Sequence, residues 1–264
     1  MTRPNLSESK DVLLYEQHEG YAVVTINRAH KRNAANTATQ QALLKVLTEG
    51  ASQNRALILT ATSDTSFCAG VDITERSNLG GTGAASARRA AEWDSWLAVQ
   101  EAILSAPMVV IAGVNGYALG GGVTLVNCCD LAIAAEHAEF GIPELKMGVV
   151  PALSGPSTLA RIPPKIVAFM AFTTERMDAS MAKEWGLVNE VHAAANVLDR
   201  CHELARRIAA FDGPAVDFTK KLLRDAARMD VRAGMEHGLA MGAVLKSLRA
   251  SRPTKPSTTE GVTW

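Results

Sequence analysis

Residues 107–151 decide the fold, and they run PMVVIAGVNGYALGGGVTLVNCCDLAIAAEHAEFGIPELKMGVVP. The apolar, β-branched run Met108–Val114 predicts a buried strand. A triple glycine at 120–122 then permits a sharp turn and a close approach of the backbone to a ligand. A helix over Val123–Cys129 would begin directly after it. The unpaired N–H groups and partial positive charge of such a helix start suit a developing oxyanion.

Strands and helices alternate on both sides of this stretch. We predict strands at 12–15, 21–26, 56–60 and 131–135, and helices at 37–49, 165–172, 178–185, 196–210, 214–227 and 231–248. Thr37 is expected to cap the first helix, with Gln40 completing a capping box. The alternation favours an α/β fold with crossover helices. We divide the chain into an α/β core over 1–195 and a helical C-terminal subdomain over 196–264.

The overall composition excludes several classes of function. Lys plus Arg and Asp plus Glu both number 27, so the zero net charge offers no global field for nucleic acid or an anionic membrane. No apolar run reaches the roughly 18 residues of a membrane span, and the N-terminal residues lack the apolar segment of a secretory signal. The four cysteines form no CxxC pair, which argues against a disulfide framework and a metal site. We therefore expect a reduced, cytoplasmic protein without a bound metal.

Several motifs occur in a fixed order along the chain. N-G-x-A-x-G-G-G at 115–122 precedes Cys129-Asp130, and F-G-x-P-E-x-x-x-G-x-x-P follows at 140–151. This order resembles the crotonase (enoyl-CoA hydratase/isomerase) superfamily over about residues 21–191. The resemblance implies a crotonase-like spiral of ββα units with a helical C-terminal subdomain. It also implies an acyl-CoA thioester substrate, no tightly bound cofactor beyond the coenzyme A of the substrate, and a homotrimer or dimer of trimers.

The resemblance implies an oxyanion hole made of two backbone amides. Gly121 N–H would be the first donor. The segment 67–72, FCAGVD, is similar to the family motif F-x-A-G-x-D, which makes Cys68 N–H the second. Losing one such donor costs on the order of 3 kcal/mol of transition-state stabilisation. The alternatives are two ordinary tight turns and a nucleophilic Cys68, although no His lies nearby in sequence to generate a thiolate.

Glu144 is the predicted acid/base, because family members carry a catalytic glutamate at this position and its apolar neighbours should partly desolvate it. Thr124 replaces the second glutamate of two-acid hydratases. A threonine hydroxyl cannot act alone as an acid or base, but it can hold a water or a substrate hydroxyl. Glu92 and Asp94 are alternative acids or members of a solvated helix face. Ser154 is interpreted as a loop hydroxyl, because no His partner can be identified.

Residues 27–34, NRAHKRNA, resemble the family's coenzyme A-binding loop N-R-P-x-K-x-N-A, with Ala29 in place of proline. Lys31 and Arg32 can meet phosphate charge, and a solvated basic loop is the alternative. The predicted substrate- and coenzyme A-binding residues are Arg28, Lys31, Arg32, Ala34, Cys68, Ala69, Gly70, Val71, Asp72, Ile73 and Gly121.

These residues predict an acyl-CoA-transforming enzyme of the enoyl-CoA hydratase/isomerase type. A single acid favours double-bond migration. Two alternatives stay open: a single-glutamate hydratase or lyase acting on an unusual acyl-CoA, and an acyl-CoA binder without catalytic activity. Nucleic-acid binding is a further alternative that the balanced charge disfavours.

Overall fold

The larger of two sheets forms the centre of the molecule. The computed structural model of the chain describes residues 12–50, 53–72 and 84–251, the side chains of 84–94 excepted. The large sheet contains β1 (Leu13–His18), β2 (Tyr21–Ile26), β3 (Ala56–Ala61), β5 (Val109–Val114), β7 (Leu131–Ala135) and β10 (Glu190–His192) in that spatial order. β1 pairs antiparallel with β2, and the other neighbours are parallel. All six residues of β3 are buried, as a parallel strand covered on both faces requires.

The second sheet contains the strands that follow β3, β5 and β7 of the large sheet along the chain. It contains β4 (Ser66–Cys68), β6 (Tyr117–Leu119), β8 (Glu139–Gly141) and β9 (Met177–Asp178), in that order. Thus β3 is followed by β4, β5 by β6, and β7 by β8, with one strand of each pair in each sheet. A helix begins at Gly121, two residues after β6, and the next described helix after β4 begins at Ala84. This repetition of ββα units is the predicted α/β spiral, and it places the ends of β4, β6 and β8 side by side.

The described residues form helices on both sides of these sheets. They are α1 (Thr37–Glu49), α2 (Ala84–Ser105), α3 (Gly121–Cys128), α4 (Ser154–Leu159), α5 (Pro164–Thr173), α6 (Ala179–Glu184), α7 (Ala194–Ala209), α8 (Gly213–Ala226) and α9 (Val231–Ala250), with short 3-10 turns at Ala29–Lys31 and Glu144–Met147. The predicted capping box of α1 is wrong. Asn36, which is extended, accepts a hydrogen bond from Thr39 N at 3.0 Å and caps the helix instead. The Gln40 amide donates to Ala35 O.

The C-terminal helices are tied to the core. In α7, Val197 and Cys201 belong to the buried core that includes the large sheet. In α8, the buried Lys220 ammonium donates to Ile103 O and Met108 O and forms an ion pair of 2.7 Å with Asp130. The division of the chain at 195/196 stays a prediction. Among the described residues, no helix combines the length and apolar character needed to cross a bilayer.

Candidate active site

A cavity of about 480 Å³ lies where four separate segments of the chain meet. The loop 30–34 and residues 69–72 form part of its wall, the glycines 120–121 another, and residues 143–154 the rest. Predicted site residues that line it are Lys31, Arg32, Ala34, Ala69, Gly70, Val71, Asp72, Gly121 and Glu144. Arg28, Cys68 and Thr124 are not among the lining residues, and Ile73 lies outside the described residues.

The two segments predicted to supply the amides are in direct contact. Gly70 has a positive φ of 95°, and a Cβ placed on it would lie 3.1 Å from the Gly121 nitrogen. A Cβ on Gly122 would lie only 2.0 Å from the Cys68 carbonyl oxygen. Gly121 opens α3, so its N–H has no acceptor within the helix. The glycines therefore allow the start of α3 to approach the end of β4 at backbone distance.

The Cys68 side chain is protonated and enclosed. The residue is fully buried, and desolvation raises the pKa of its thiol to about 11. Its sulfur donates weakly to Gly70 O at 3.8 Å. A thiol in this state is a poor nucleophile at neutral pH, so the geometry favours the interpretation in which this position acts through its backbone.

Glu144 extends its carboxylate toward the glycine turn. It begins the 3-10 turn Glu144–Met147 directly after Pro143. A Cβ on Gly120 would lie 3.1 Å from Glu144 Oε1 and 3.8 Å from Oε2. The hydroxyl of Ser154 donates to Oε1. One oxygen of the carboxylate is therefore held by Ser154, and the other is buried without a hydrogen-bond partner among the described residues.

Arg28 joins two segments of the cavity wall, and its predicted contact with the substrate stays a prediction. It is buried, it donates to Ala34 O, and its guanidinium lies 3.0 Å from the Asp72 carboxylate. This pair joins the loop 27–34 to residues 68–72, whose backbones also bond through Ala35 N to Gly70 O at 2.8 Å. The exposed Lys31 and Arg32 have no ion-pair partner among the described residues, so their charges are available at the cavity wall.

Thr124 is not among the residues that line the cavity. Its side chain is buried, and its hydroxyl donates to Gly120 O at 3.2 Å, one helical turn back. Its role in holding a water or a substrate hydroxyl stays a prediction. The side chains of Glu92 and Asp94 lie outside the described residues. Of the described carboxylates on the cavity wall, Asp72 is ion-paired and Glu144 has no cation partner.

Two residues near the site make contacts that the sequence did not reveal. Ser154 contacts Glu144 across ten residues of chain, and no local pattern signals such a contact. Trp96 is completely buried on α2, and its indole nitrogen lies 2.7 Å from the position of a Cβ on Gly121. The indole therefore packs against the glycine turn. A tryptophan at helical spacing is also typical of ordinary core packing, so the sequence alone does not distinguish the two.

Comparisons with known proteins identify the family of the chain. The pattern of the family described as enoyl-CoA hydratase/isomerase matches residues 16–252. The crotonyl-CoA hydratase of Syntrophomonas wolfei is 34% identical over 230 residues, covering 84% of this chain and 85% of that protein. The short-chain-enoyl-CoA hydratase of Clostridium acetobutylicum is 33% identical over 227 residues, covering 85% of each. A crystal structure of an enoyl-CoA hydratase from Mycobacterium smegmatis has a TM-score of 0.81 at 28% identity, covering 92% of both chains.

The spiral of ββα units and these matches define an enzyme of the crotonase superfamily, which confirms the predicted fold. Within that superfamily, the chain belongs to the enoyl-CoA hydratase/isomerase family.

Proposed function

We propose that the cavity binds an acyl-CoA thioester, that the amides of Gly121 and Cys68 stabilise its enolate, and that Glu144 transfers the protons. The observation that carries the proposal is the position of the Glu144 carboxylate. It lacks a cation partner among the described residues and lies against the turn that opens α3, in the same cavity as Gly121. Acid/base chemistry and oxyanion stabilisation need this proximity, because both act on adjacent atoms of one substrate.

In this mechanism the thioester oxygen accepts hydrogen bonds from both amides, which makes the α-proton acidic. The free Oε2 of Glu144 takes that proton, and the electron pair of the broken C–H bond spreads into the enolate. When the acyl group of the substrate has a double bond between its β and γ carbons, the negative charge extends to the γ carbon. Glu144 then returns the proton there, and the double bond moves into conjugation with the thioester. One carboxylate suffices for this reaction.

The coenzyme A moiety would lie along the wall formed by the loop 30–34 and residues 69–72. Lys31 and Arg32 offer unpaired positive charge to phosphate groups. The Ala35–Val71 bridge and the bond from Asp72 N to Ala35 O hold the two backbones side by side, and the buried Arg28–Asp72 pair closes the same junction. These contacts hold the described part of the wall together within the chain, and such preorganisation lowers the entropy cost of binding.

Hydration is the second candidate, because several similar proteins carry names of hydratases. It needs a water held opposite the double bond, and the Thr124 hydroxyl that could hold it donates to Gly120 O. Mass spectrometry in H₂¹⁸O separates the two reactions, since hydration adds a labelled oxygen and isomerisation leaves the mass unchanged.

The test is turnover of a 3-enoyl-CoA and a 2-enoyl-CoA by wild type, Glu144→Gln and Glu136→Gln. Glu136 is exposed and lies outside the cavity. Glu136→Gln therefore removes the same negative charge as Glu144→Gln without changing the cavity. We expect Glu144→Gln to lower kcat by roughly 100- to 10,000-fold and Glu136→Gln to leave it unchanged. Wild-type turnover in Glu144→Gln would refute the proposal. Binding of both thioesters without turnover by the wild type would instead identify an acyl-CoA binder.

We further propose assembly as a homotrimer or a dimer of trimers. Val231, Met235 and Leu239 follow one another at four-residue intervals on α9, and they are 74%, 66% and 77% exposed. Such an apolar row on one helix face is typical of a protein–protein interface. The cytoplasmic location stays a prediction.

A further inference from the structure

We infer that Ser154 is a positioning residue for the reaction, holding Glu144 Oε1 so that the unpartnered Oε2 is the oxygen left to exchange the proton. The inference rests on the proposed role of Glu144 as acid/base. Ser154 is the first residue of α4 and is 1% exposed, and its hydroxyl donates to Oε1. The other carboxylate oxygen is buried and has no hydrogen-bond partner among the described residues.

A chain of buried polar groups fixes the Ser154 backbone relative to α3. Asn127, near the end of α3, donates to the Thr158 hydroxyl at 2.9 Å. That hydroxyl donates in turn to the carbonyl of Ser154 at 2.6 Å. Asn127 and Thr158 are 4% and 0% exposed. The helix that presents Gly121 is therefore connected by hydrogen bonds to the residue that holds Glu144.

The chemistry of the contact suits a proton carrier. A glutamate side chain on a short turn has several rotatable bonds, and a single donor on one oxygen selects one orientation of the carboxylate. Because the donor is a neutral hydroxyl rather than a cation, it orients the carboxylate without neutralising its charge. A proton taken from the substrate then remains on Oε2, next to the carbon atoms that exchange it, while Oε1 keeps its bond to Ser154.

Three variants separate this role from packing. Ser154→Ala removes the donor, and Ser154→Cys keeps a similar volume with a much weaker donor. Thr60→Val is the control, because it removes a buried hydroxyl that donates to Gly113 O, away from the cavity wall and from the Ser154 contacts. We expect Ala and Cys at 154 to lower kcat alike, by about 10- to 100-fold, with KM changed less than about twofold. The Thr60→Val variant should retain wild-type kcat.

The outcomes are measured on whichever enoyl-CoA the wild type converts, with circular dichroism as a check of folding. Wild-type kcat in Ser154→Ala would overturn the inference. Wild-type kcat in Ser154→Cys together with a low kcat in Ser154→Ala would also overturn it, because the residue would then act through packing. If Ser154→Ala does not fold, the cysteine variant alone decides. A fall in kcat for Glu144→Gln with none for the Ser154 variants refutes the positioning role and leaves the proposed function intact. Full activity of Glu144→Gln refutes both.

Discussion

Substitution of Gly122 by alanine tests the contact on which the proposed oxyanion hole depends. Gly122 is buried in the first turn of α3. An added Cβ would lie 2.0 Å from the Cys68 carbonyl oxygen and 2.8 Å from its carbonyl carbon, whereas Cβ atoms essentially never come closer than 3.0 Å to another atom. The two backbones must therefore separate by about 1 Å. Since the clash is with backbone, no side-chain rotation relieves it.

We expect Gly122→Ala to lower the free energy of unfolding by about 1–3 kcal/mol, the usual cost of overpacking. The two proposed amide donors lie on the two segments that separate, and a displacement of about 1 Å at a reacting centre costs about 100-fold in rate. Urea unfolding followed by tryptophan fluorescence measures the first effect. Turnover of the enoyl-CoA substrate measures the second.

Gly50→Ala is the control for this experiment. Gly50 is a buried residue at the end of α1 with a φ of −75°, and a Cβ there would meet its nearest described atom, Val46 Cγ1, at 3.8 Å, an ordinary contact. Alanine should change the free energy of unfolding by less than about 1 kcal/mol and leave kcat unchanged. Wild-type stability and wild-type kcat in Gly122→Ala would refute the reasoning, because they would require that α3 and Cys68 do not touch.

Two other measurements follow from the pKa values of buried and paired groups. Iodoacetamide at pH 8 should leave Cys68 unmodified in the folded protein and label it in urea, because burial encloses the thiol and raises its pKa to about 11; peptide mass spectrometry checks this. Glu190→Gln should destabilise the protein near neutral pH, because hydrogen bonds from Arg200 and His192 lower the pKa of Glu190 from 4.5 to about 2. That stabilisation is complete above pH 4.5 and is lost as the pH falls toward 2. Urea unfolding measures the difference in free energy of unfolding between wild type and Glu190→Gln, and a difference that stays constant over this pH range would contradict the lowered pKa of Glu190.

The strands were predictable because their patterns are local. The run that forms β5 is bounded by Pro107 and Gly116, and continuous burial makes such a strand uniformly apolar. The cap of α1 was predicted at the wrong residue, since Asn36 and Thr37 are both good N-caps and only the observed backbone conformation distinguishes them. For Arg28, the sequence shows a basic loop residue, and its ion pair with Asp72 spans 44 positions.

Local composition and the order of motifs determined the α/β class, the place of the glycine turn and the choice of Glu144, because each depends on residues adjacent in the chain. Only the tertiary structure decided which side chains meet. It turned the Thr124 hydroxyl onto Gly120 O, paired Arg28 with Asp72, and set Ser154 against Glu144. The physical reason is that side-chain direction and partner choice depend on how strands and helices pack, and contacts between distant segments leave no periodic trace in the sequence.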